Sequence, residues 1–329
     1  MELAVEMKTL KIAVMGCAAV AWNSMLPACR LAPEWDLVAV ASRSELKAQQ
    51  FALQFDCEAV IGYENLLHRQ DIDAIYMPLP TGLHHEWIIK CLDAGKHVLA
   101  EKSIASSYSS AVKMVELARL KNLVLMEDFM FQYHSQHQFV FKLLGNKEIG
   151  DIRVFRANFG FPPLPNDNFR YNEKIGGGAL LDAAGYTVRA AHFILGEDLI
   201  VKAADLFYDR EPRTNIYGGA YLSNGSGISA QLGFGFDNFY QCNYEIWGSK
   251  GKIIVDRAFT PKLDYSPLIV VEKQGERHEY FMAPDNHFLG SIREFYNAIM
   301  ENNGEKHNRQ VLSQSLILEH IRSLSIKKE

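Results

Sequence analysis

The stretch that decides the fold is Leu10-Lys11-Ile12-Ala13-Val14-Met15-Gly16-Cys17-Ala18-Ala19-Val20-Ala21. Its first six residues form an apolar, β-branched run that is typical of a buried strand. The small residues after it predict a tight turn into a helix over Trp22–Leu31. Such a strand, turn and helix can hold a pyrophosphate on the exposed N–H groups of the helix N-terminus. Only Gly16 of the usual glycines is present, since Ala18 takes the middle position, so the motif alone also fits an ordinary strand–helix turn.

Strand and helix signals alternate as far as residue 127. Further strands are predicted at Leu37–Ala41, Asp73–Met77, His97–Ala100 and Leu123–Glu127, and helices at Glu45–Phe55, His84–Ala94 and Ser107–Leu120. The strands lack apolar/polar alternation, which indicates a parallel sheet covered on both faces. Because crossovers between parallel strands are right-handed, residues 1–127 are predicted to form a doubly wound α/β domain.

The rest of the chain, residues 128–329, has a different pattern. Apolar and polar residues alternate, as in half-solvated antiparallel strands, in Ile152–Phe159, Tyr217–Phe236, Tyr240–Ile246, Lys252–Val255, Leu268–Lys273 and Glu279–Phe281. Helices are predicted at Ala179–Leu195, Asn286–Asn302 and Gln310–Ser325. We therefore expect an α+β domain with an open, mostly antiparallel sheet and helices on one face. The alternating Phe234, Phe236 and Phe239 fit either an exposed, dimer-forming face or a covered core face.

Composition excludes several classes of protein. A length of 329 residues favours two domains, and a net charge of −5 argues against a general nucleic-acid or anionic-membrane binder. No apolar run reaches the ~18 residues of a membrane span, and the run after Lys11 continues into the strand–helix pattern, unlike a signal peptide. Five cysteines without a CxxC pair indicate reduced thiols in a cytoplasmic protein, with no disulfide framework and no metal site.

The end of the second strand indicates which cofactor is bound. An NAD site usually has Asp or Glu at this point, for the ribose 2′-OH. Here the chain has Ser42-Arg43-Ser44, and hydroxyls beside a guanidinium suit a 2′-phosphate. This predicts NADP(H) in preference to NAD(H). The alternative is a helix cap at Ser42 or Ser44 beside a solvated arginine.

Two further segments follow strands of the doubly wound domain. These are Pro78–His85 and Glu101-Lys102-Ser103, and both fall near the switch point where open α/β sheets bind ligands. A lysine at this place can hold a substrate hydroxyl or carbonyl and ease proton transfer by a neighbouring acid. For Glu101 and Lys102 taken alone, a solvated ion pair is the simpler alternative.

The strongest local signal is the run Gly176–Arg189, in which three glycines precede a helix. Asp182 and Tyr186 are four residues apart and share one helix face. Gly185 costs ~1 kcal/mol relative to alanine inside a helix, which is reasonable if a backbone or ligand approaches closely. Tyr186 is a candidate general acid for carbonyl reduction, with Asp182 gripping a substrate hydroxyl. The alternative is a helix packed on a sheet, with Tyr186 at the edge of the core.

Taken in order and at this spacing, these segments resemble the Gfo/Idh/MocA oxidoreductase family over essentially the whole chain. The other markers are Ala94–Lys102, Met126–His134 and GGGALLDAAGY at 176–186. The resemblance implies a Rossmann domain, a C-terminal sheet domain used in homo-oligomer contacts, and a bound NAD(P). Ala18 in place of Gly, Thr81 in place of Asn and Ser103 in place of Pro depart from the family pattern.

The resemblance also implies roles for individual residues. The catalytic lysine falls on Lys102, and the family's Asp and acid/base fall on Asp182 and Tyr186. The predicted cofactor contacts are Gly16, Ala18, Ala19, Val20, Ser42, Arg43, Leu79, Pro80, Thr81, His84, Glu101, Lys102 and Arg170. The predicted substrate contacts are Lys102, Phe129, His134, Asp182 and Tyr186.

Tyrosine at position 186 resembles the branch of nucleotide-sugar 3-ketoreductases, dihydrodiol dehydrogenases and glucose–fructose oxidoreductase. The hypothesis is that NADPH reduces the ketone of a sugar, in particular of a nucleotide-sugar. An unperturbed tyrosine has a pKa of ~10, and a cationic Lys102 nearby would ease proton transfer from Tyr186. The alternatives are a dihydrodiol, polyol or inositol-type dehydrogenase, a non-catalytic NADP-sensing regulator and a non-catalytic scaffold.

Overall fold

The computed structural model describes residues 8–208 and 214–325. Within these ranges the chain forms two compact units, each with its own sheet. The first unit comprises residues 8–105, 109–128 and 288–311, and the second comprises 106–108, 129–208, 214–287 and 312–325. In the part of the chain so described, no helix is long and apolar enough to cross a membrane.

The first unit is built on a parallel sheet of six strands. They are β1 Leu10–Met15, β2 Trp35–Ser42, β3 Glu58–Ile61, β4 Ala74–Met77, β5 His97–Glu101 and β6 Leu125–Asp128. Their order is β3-β2-β1-β4-β5-β6, so the direction of winding reverses between β1 and β4. This confirms the predicted doubly wound Rossmann sheet. The reversal leaves a crevice at the carboxyl ends of the strands.

Apart from the short helix Glu64–Leu67, which was not predicted, the helices of this unit follow the predicted segments closely. They include α1 Leu26–Leu31, α2 Glu45–Phe55, α3 Glu64–Leu67, α4 Thr81–Asp93 and α5 Tyr108–Lys121. The predicted helix over Trp22–Leu31 begins instead with a π-helical turn at Ala21–Met25 before α1. Strand β3 is absent from the sequence prediction because it is a four-residue edge strand in which only Val60 is fully buried.

A late segment of the chain completes the first unit. Helix α9, His287–Met300, belongs to it from Phe288 onward, whereas the sequence pattern predicts that all residues after 127 belong to the second domain. Trp35 stacks on Phe295 at 5.6 Å and its indole N–H donates to the carbonyl of Ile292 at 3.0 Å. This contact spans more than 250 residues of sequence, and no local pattern predicts it.

The second unit contains an eight-stranded sheet. Its strands are β7 Ile152–Gly160, β8 Ile200–Tyr208, β9 Asn215–Ser223, β10 Ser229–Gly235, β11 Gln241–Gly248, β12 Gly251–Val255, β13 Leu268–Lys273 and β14 Glu276–Phe281. The order is β14-β13-β12-β11-β7-β10-β9-β8, and only β7 and β10 pair in parallel. The predicted open, mostly antiparallel sheet is confirmed. The run predicted as Tyr217–Phe236 is two strands, and edge strand β8 was not predicted.

Helices cover one face of this sheet. They are α6 Ser135–Gly145, α7 Ala179–Asp182 and α8 Ala184–Leu195, and α8 packs against β7 and β10. The last helix, α10 Gly304–Ser325, belongs to the second unit from Leu312 onward. Phe234 and Phe236 are buried and Phe239 is 86% exposed. The first two rings therefore belong to the core, so the exposed-face interpretation does not hold for them.

Candidate active site

A cleft of about 250 Å³ lies at the carboxyl ends of β1, β2 and β4, where the strand order reverses. It is lined by Gly16, Cys17, Ala18, Ser42, Arg43, Ser44, Lys47, Tyr63, Pro78, Leu79, Pro80 and Leu83. Six of these were predicted as cofactor contacts. Two polar side chains in the cleft, Lys47 and Tyr63, were not predicted. The predicted residues Ala19, Val20 and Thr81 adjoin the lining at the starts of the following helical segments.

Gly16 lets two segments of this cleft approach each other closely. It has φ of +123°, and a Cβ at this position would lie 2.8 Å from Cδ2 of Leu79. Its N–H donates to the carbonyl of Ala41 at 2.9 Å. A side chain here would push away the loop after β4, and the bare backbone provides the kind of cradle that a pyrophosphate requires. This geometry fits a dinucleotide.

One corner of the cleft carries hydroxyls and cations. Ser42 Oγ accepts from the N–H of Ser44 at 3.1 Å, and Ser44 Oγ accepts from the N–H of Lys47 at 3.5 Å. Ser44 therefore caps α2, while Arg43 and Lys47 remain exposed in the cleft. The donor set suits a phosphate dianion better than a ribose hydroxyl.

His84 connects two loops beside the cleft. It is fully buried in α4, with Nε2 2.8 Å from the carbonyl oxygen of Leu79 and Nδ1 3.0 Å from that of Ser103. Burial lowers the pKa of His84 to about 4, although the carbonyls of Leu79 and Ser103 oppose the shift. The ring is therefore neutral at pH 7 and donates to one of the two oxygens. Because the ring of His84 has no exposed surface, the structure shows no direct access from the ring to a cofactor. The predicted cofactor contact of His84 stays a prediction.

Lys102 lies between two anchored residues. Before it, Glu101 accepts a hydrogen bond from the phenol of Tyr76 at 2.7 Å. After it, the N–H of Ile104 donates to Oε1 of Glu127 at 2.8 Å. The Lys102–Ser103 peptide bond is cis. Lys102 itself is half-buried at the end of β5. These contacts fix the backbone from which the lysine projects.

A buried carboxyl lies on the strand beside Glu101. Asp128 pairs with Glu101 across β5 and β6 and accepts from Ser291 Oγ at 2.6 Å. Burial raises the pKa of Asp128 well above its usual range, and the nearby Glu101 raises it further. Burial and the neighbouring Glu101 carboxylate therefore both favour the protonated form of Asp128. Asp128 was not predicted as a site residue.

Tyr186 occupies an aromatic box in the second unit. Its ring is 6% exposed and lies 4.8 Å from Phe159, 5.6 Å from Phe129 and 5.8 Å from Phe259. Its hydroxyl contacts Sδ of Met130 at 3.9 Å. The box holds the ring in one orientation and keeps bulk water from its faces. The predicted substrate contact Phe129 is 1% exposed and forms one wall.

Asp182 is held by an arginine from the loop before the helix. Arg170 Nε donates to Oδ2 of Asp182 at 2.7 Å, and both side chains are partly exposed. The glycine run explains how the loop reaches this position. A Cβ on Gly177 would lie 2.5 Å from the carbonyl oxygen of Arg170 and 2.7 Å from that of Asn172. The glycines therefore make room for this loop, and a contact between Arg170 and cofactor stays a prediction.

His134 is placed in the core of the second unit. It is fully buried, and its Nδ1 accepts from the N–H of Gln136 at 3.1 Å, so it caps α6. Burial lowers the pKa of His134, with Asp285 opposing the shift. A direct substrate contact by His134 stays a prediction.

No group of three or more His, Cys, Asp or Glu side chains within residues 8–208 and 214–325 is arranged to hold a metal ion. All five cysteines are free thiols. The cleft contains Gly16 and a corner formed by Ser42, Arg43, Ser44 and Lys47, here called the phosphate corner, and its geometry fits an organic dinucleotide.

A doubly wound sheet with such a cleft at its switch point defines a dinucleotide-binding domain. The family described as "Oxidoreductase family, NAD-binding Rossmann fold" matches residues 10–129, and the "GFO/IDH/MocA C-terminal domain" matches residues 137–254. The chain belongs to the GFO/IDH/MocA family. It is an NAD(P)-dependent oxidoreductase that acts on carbonyl and CH–OH groups.

Individual relatives are similar over most of this chain. A dTDP-3,4-didehydro-2,6-dideoxy-alpha-D-glucose 3-reductase of Saccharopolyspora spinosa is 45% identical over 298 residues, 90% of each chain. The crystal structure of a 3-ketoreductase from Actinomadura kijaniata, in complex with NADP and TDP-benzene, superposes with a TM-score of 0.93 at 39% identity, covering 97% of this chain and 98% of that one. A trans-1,2-dihydrobenzene-1,2-diol dehydrogenase of Xenopus laevis is 36% identical over 169 residues, covering 50% of this chain and 49% of its own.

Proposed function

We propose that the protein uses NADPH to reduce the 3-keto group of a dTDP-linked sugar to a hydroxyl. The observation that carries this proposal is the 45% identity, over 90% of both chains, to a dTDP-sugar 3-reductase. The phosphate corner of the cleft supports NADPH as the reductant. The dihydrodiol dehydrogenase relative matches only half of this chain, and the sugar ketone is therefore the favoured substrate.

In the proposed reaction, bound NADPH supplies a hydride to the carbonyl carbon. Tyr186 donates its phenolic proton to the carbonyl oxygen, and a proton from solvent later restores the phenol. Lys102 provides a positive charge that stabilises the tyrosinate. Asp182, fixed by Arg170, accepts a hydrogen bond from a sugar hydroxyl and orients the ring. Glu101 and Ile104 hold the backbone on either side of Lys102 through their contacts with Tyr76 and Glu127.

Replacing Tyr186 by Phe tests the assignment of the acid. The ring remains in its aromatic box and only the hydroxyl is lost, so kcat should fall by ~10²–10⁴-fold while NADPH affinity stays within twofold. The measurement is NADPH oxidation at 340 nm with a dTDP-3-keto sugar, beside a fluorescence titration of NADPH. Tyr221→Phe, at an exposed tyrosine of β9, is the matched control and should keep full activity.

The same assay with Lys102→Met separates two roles. Loss of activity in both variants, with the pH optimum of residual turnover changed in Lys102→Met, supports a tyrosine acid assisted by lysine. If Tyr186→Phe keeps more than half of wild-type kcat while Lys102→Met is inactive, the proton comes from the lysine and the tyrosine assignment is wrong.

A substrate panel tests the sugar class. It should contain dTDP-3-keto sugars, free pyranoses, inositols and trans-dihydrodiols, each with NADPH or NADP⁺. We expect kcat/KM for the nucleotide-linked ketone to exceed the others by at least 100-fold. Preferred turnover of a free polyol or dihydrodiol would contradict the proposal, and NADPH binding without turnover of any substrate would favour a sensing protein.

We also propose a homo-oligomer formed through the face of the eight-stranded sheet that the helices leave open. This face carries Phe207 stacked on Tyr217 at 4.7 Å, both about half exposed, and Trp247, which lies under the guanidinium of Arg156. Exposed aromatic clusters of this kind are typical of protein contacts. Light scattering of the wild type against Tyr217→Glu should show a dimer or tetramer that dissociates, and a monomeric wild type would contradict this.

A further inference from the structure

Helix α8 carries Tyr186 in its first turn, and this turn is irregular. The helical path is interrupted at Ala183, between α7 and α8, and the N–H of Tyr186 donates to the carbonyl of Ala183, three residues back, at 3.2 Å. A turn tightened in this way has poorer hydrogen-bond geometry than a regular α-helix. The N-cap position is occupied by Ala183 itself, whose side chain has no acceptor for the free N–H groups. The helix alone therefore holds the backbone of Tyr186 less firmly than a regular, capped turn would.

A side chain from the last helix gives this turn further support. Gln314 of α10 is fully buried, and its Nε2 donates to the carbonyl of Gly185 at 2.9 Å. Both residues belong to the second unit. The carbonyl is part of the peptide group that joins Gly185 to Tyr186. The hydrogen bond therefore orients the peptide from which the phenol of Tyr186 projects.

Gln314 is an expensive residue at a fully buried position. Its Oε1 has no hydrogen-bond partner among the described residues, and an unpaired buried oxygen destabilises the folded protein. A leucine or methionine would pack here without that cost. What the amide gains in return is the one hydrogen bond that it donates, and this bond goes to the peptide beside Tyr186.

The same two helices are also joined through the residue that follows the end of α8. Ser313, the neighbour of Gln314, donates from Oγ to Glu197, and Glu197 accepts from the guanidinium of the buried Arg189. Helix α10 is thus linked to α8 near its first turn and again, through Glu197, three residues after Tyr186. The second link restricts sliding of α8, so a change at Gln314 acts mainly on the first turn.

We infer that Gln314 is a positioning residue for Tyr186, which fixes the Gly185–Tyr186 peptide and with it the phenol that protonates the substrate. The inference rests on the proposed role of Tyr186 as the acid and adds the residue that holds it in place. An acid accelerates the reaction only when it lies within hydrogen-bond reach of the reacting oxygen. A displacement of about 1 Å can cost ~10²-fold in rate.

Gln314→Met tests the inference, because methionine has a similar length and no donor. We expect kcat with a dTDP-3-keto sugar to fall about 10-fold, with the sugar KM and the NADPH affinity within twofold of the wild type. Gln314→Leu, a second replacement without a donor, should give the same loss. The matched control is Ser325→Ala, which removes a buried hydrogen bond within α10, from Oγ to the carbonyl of Ile321 at 2.7 Å, and should keep full activity.

Fluorine NMR detects the position of Tyr186 without any substrate. The protein has 14 tyrosines, and after labelling with 3-fluorotyrosine the signal that disappears in Tyr186→Phe is that of Tyr186. This signal should shift or broaden in Gln314→Met and stay unchanged in Ser325→Ala. Because no sugar is needed, the measurement tests the hold of Gln314 on the ring even where the keto-sugar proposal fails.

A double-mutant cycle shows whether Gln314 acts through Tyr186. In a Tyr186→Phe background, Gln314→Met should change the residual kcat by less than twofold. A full further loss in that background, or a Tyr186 signal that Gln314→Met leaves unchanged, would overturn the inference and leave Gln314 a packing residue. Failure of the proposed acid appears separately, as a Tyr186→Phe variant that keeps wild-type kcat.

Discussion

Replacing His84 by Leu should loosen the two loops that adjoin the dinucleotide cleft. The neutral ring donates one hydrogen bond to a buried carbonyl, either Leu79 at 2.8 Å or Ser103 at 3.0 Å. Leucine fills a similar volume and donates none, so a buried carbonyl loses its partner at a cost of about 1–3 kcal/mol. For a protein of this size each kcal/mol corresponds to roughly 2–4 °C in Tm. We expect Tm to fall accordingly and NADPH affinity to weaken.

Calorimetry and hydrogen exchange together test this reasoning about His84. Exchange should accelerate in residues 78–84 and 102–104 and stay unchanged elsewhere in the first unit. His85→Leu is the matched control, since His85 is the next residue of α4 and its Nδ1 has no hydrogen-bond partner among the described residues. If His84→Leu retains the wild-type Tm within 1 °C and the same exchange in both loops, the ring does not connect them and the argument is wrong.

Three further predictions concern packing, loop closure and pH. Trp35→Phe should lower the unfolding free energy by about 0.5–1.5 kcal/mol by removing the indole hydrogen bond to the carbonyl of Ile292, which urea denaturation measures. Gly177→Ala, whose Cβ would lie 2.5 Å from the Arg170 carbonyl, should displace Arg170 from Asp182 and raise the sugar KM at least tenfold. Gly145→Ala, where the Cβ meets open space, is its control. Tm should fall as the pH is lowered from 6.5 to 4, because histidines of the unfolded chain take up protons in this window and the buried ones do not. Each buried histidine then lowers the free energy of unfolding by up to ~3 kcal/mol. A constant Tm over this range would contradict the prediction. Burial lowers the pKa to about 4 for His84, His97, His192 and His287, and to about 3 for His137.

The sequence predicts the central strands of both sheets because their signals are local and strong. Continuous apolar runs mark β1, β4 and β5, and their order places the switch point where Gly16 lies. The edge strands β3 and β8 escape prediction because few of their residues are buried: Val60 in β3, and Val201 and Leu206 in β8. An edge strand exists because its neighbour pairs with it, which sequence periodicity does not record.

The same distinction applies to the site. Ser42 and Arg43 are predictable as polar residues at the end of a buried strand, and Lys47 could have been found one helical turn after Arg43. Tyr63 could not, because it reaches the corner only through the pairing of Ile61 with Ser42 across β2 and β3. Close approach was predicted at Gly185, and the structure shows it at Gly177, which the loop at Arg170 contacts.

The late helix that covers Trp35 has a consequence for synthesis on the ribosome. The strands of the nucleotide unit are complete at Asp128, yet 159 residues, 129–287, are translated before the segment that packs on Trp35 begins. At ~5–20 residues per second this takes roughly 8 to 30 s. Throughout that interval the indole of Trp35 is uncovered, and Asp128 lacks its hydrogen bond from Ser291. Both groups are then accessible to chaperones. A chain that ends before residue 288 therefore exposes apolar surface at Trp35, even though its nucleotide-binding loops have all been synthesised.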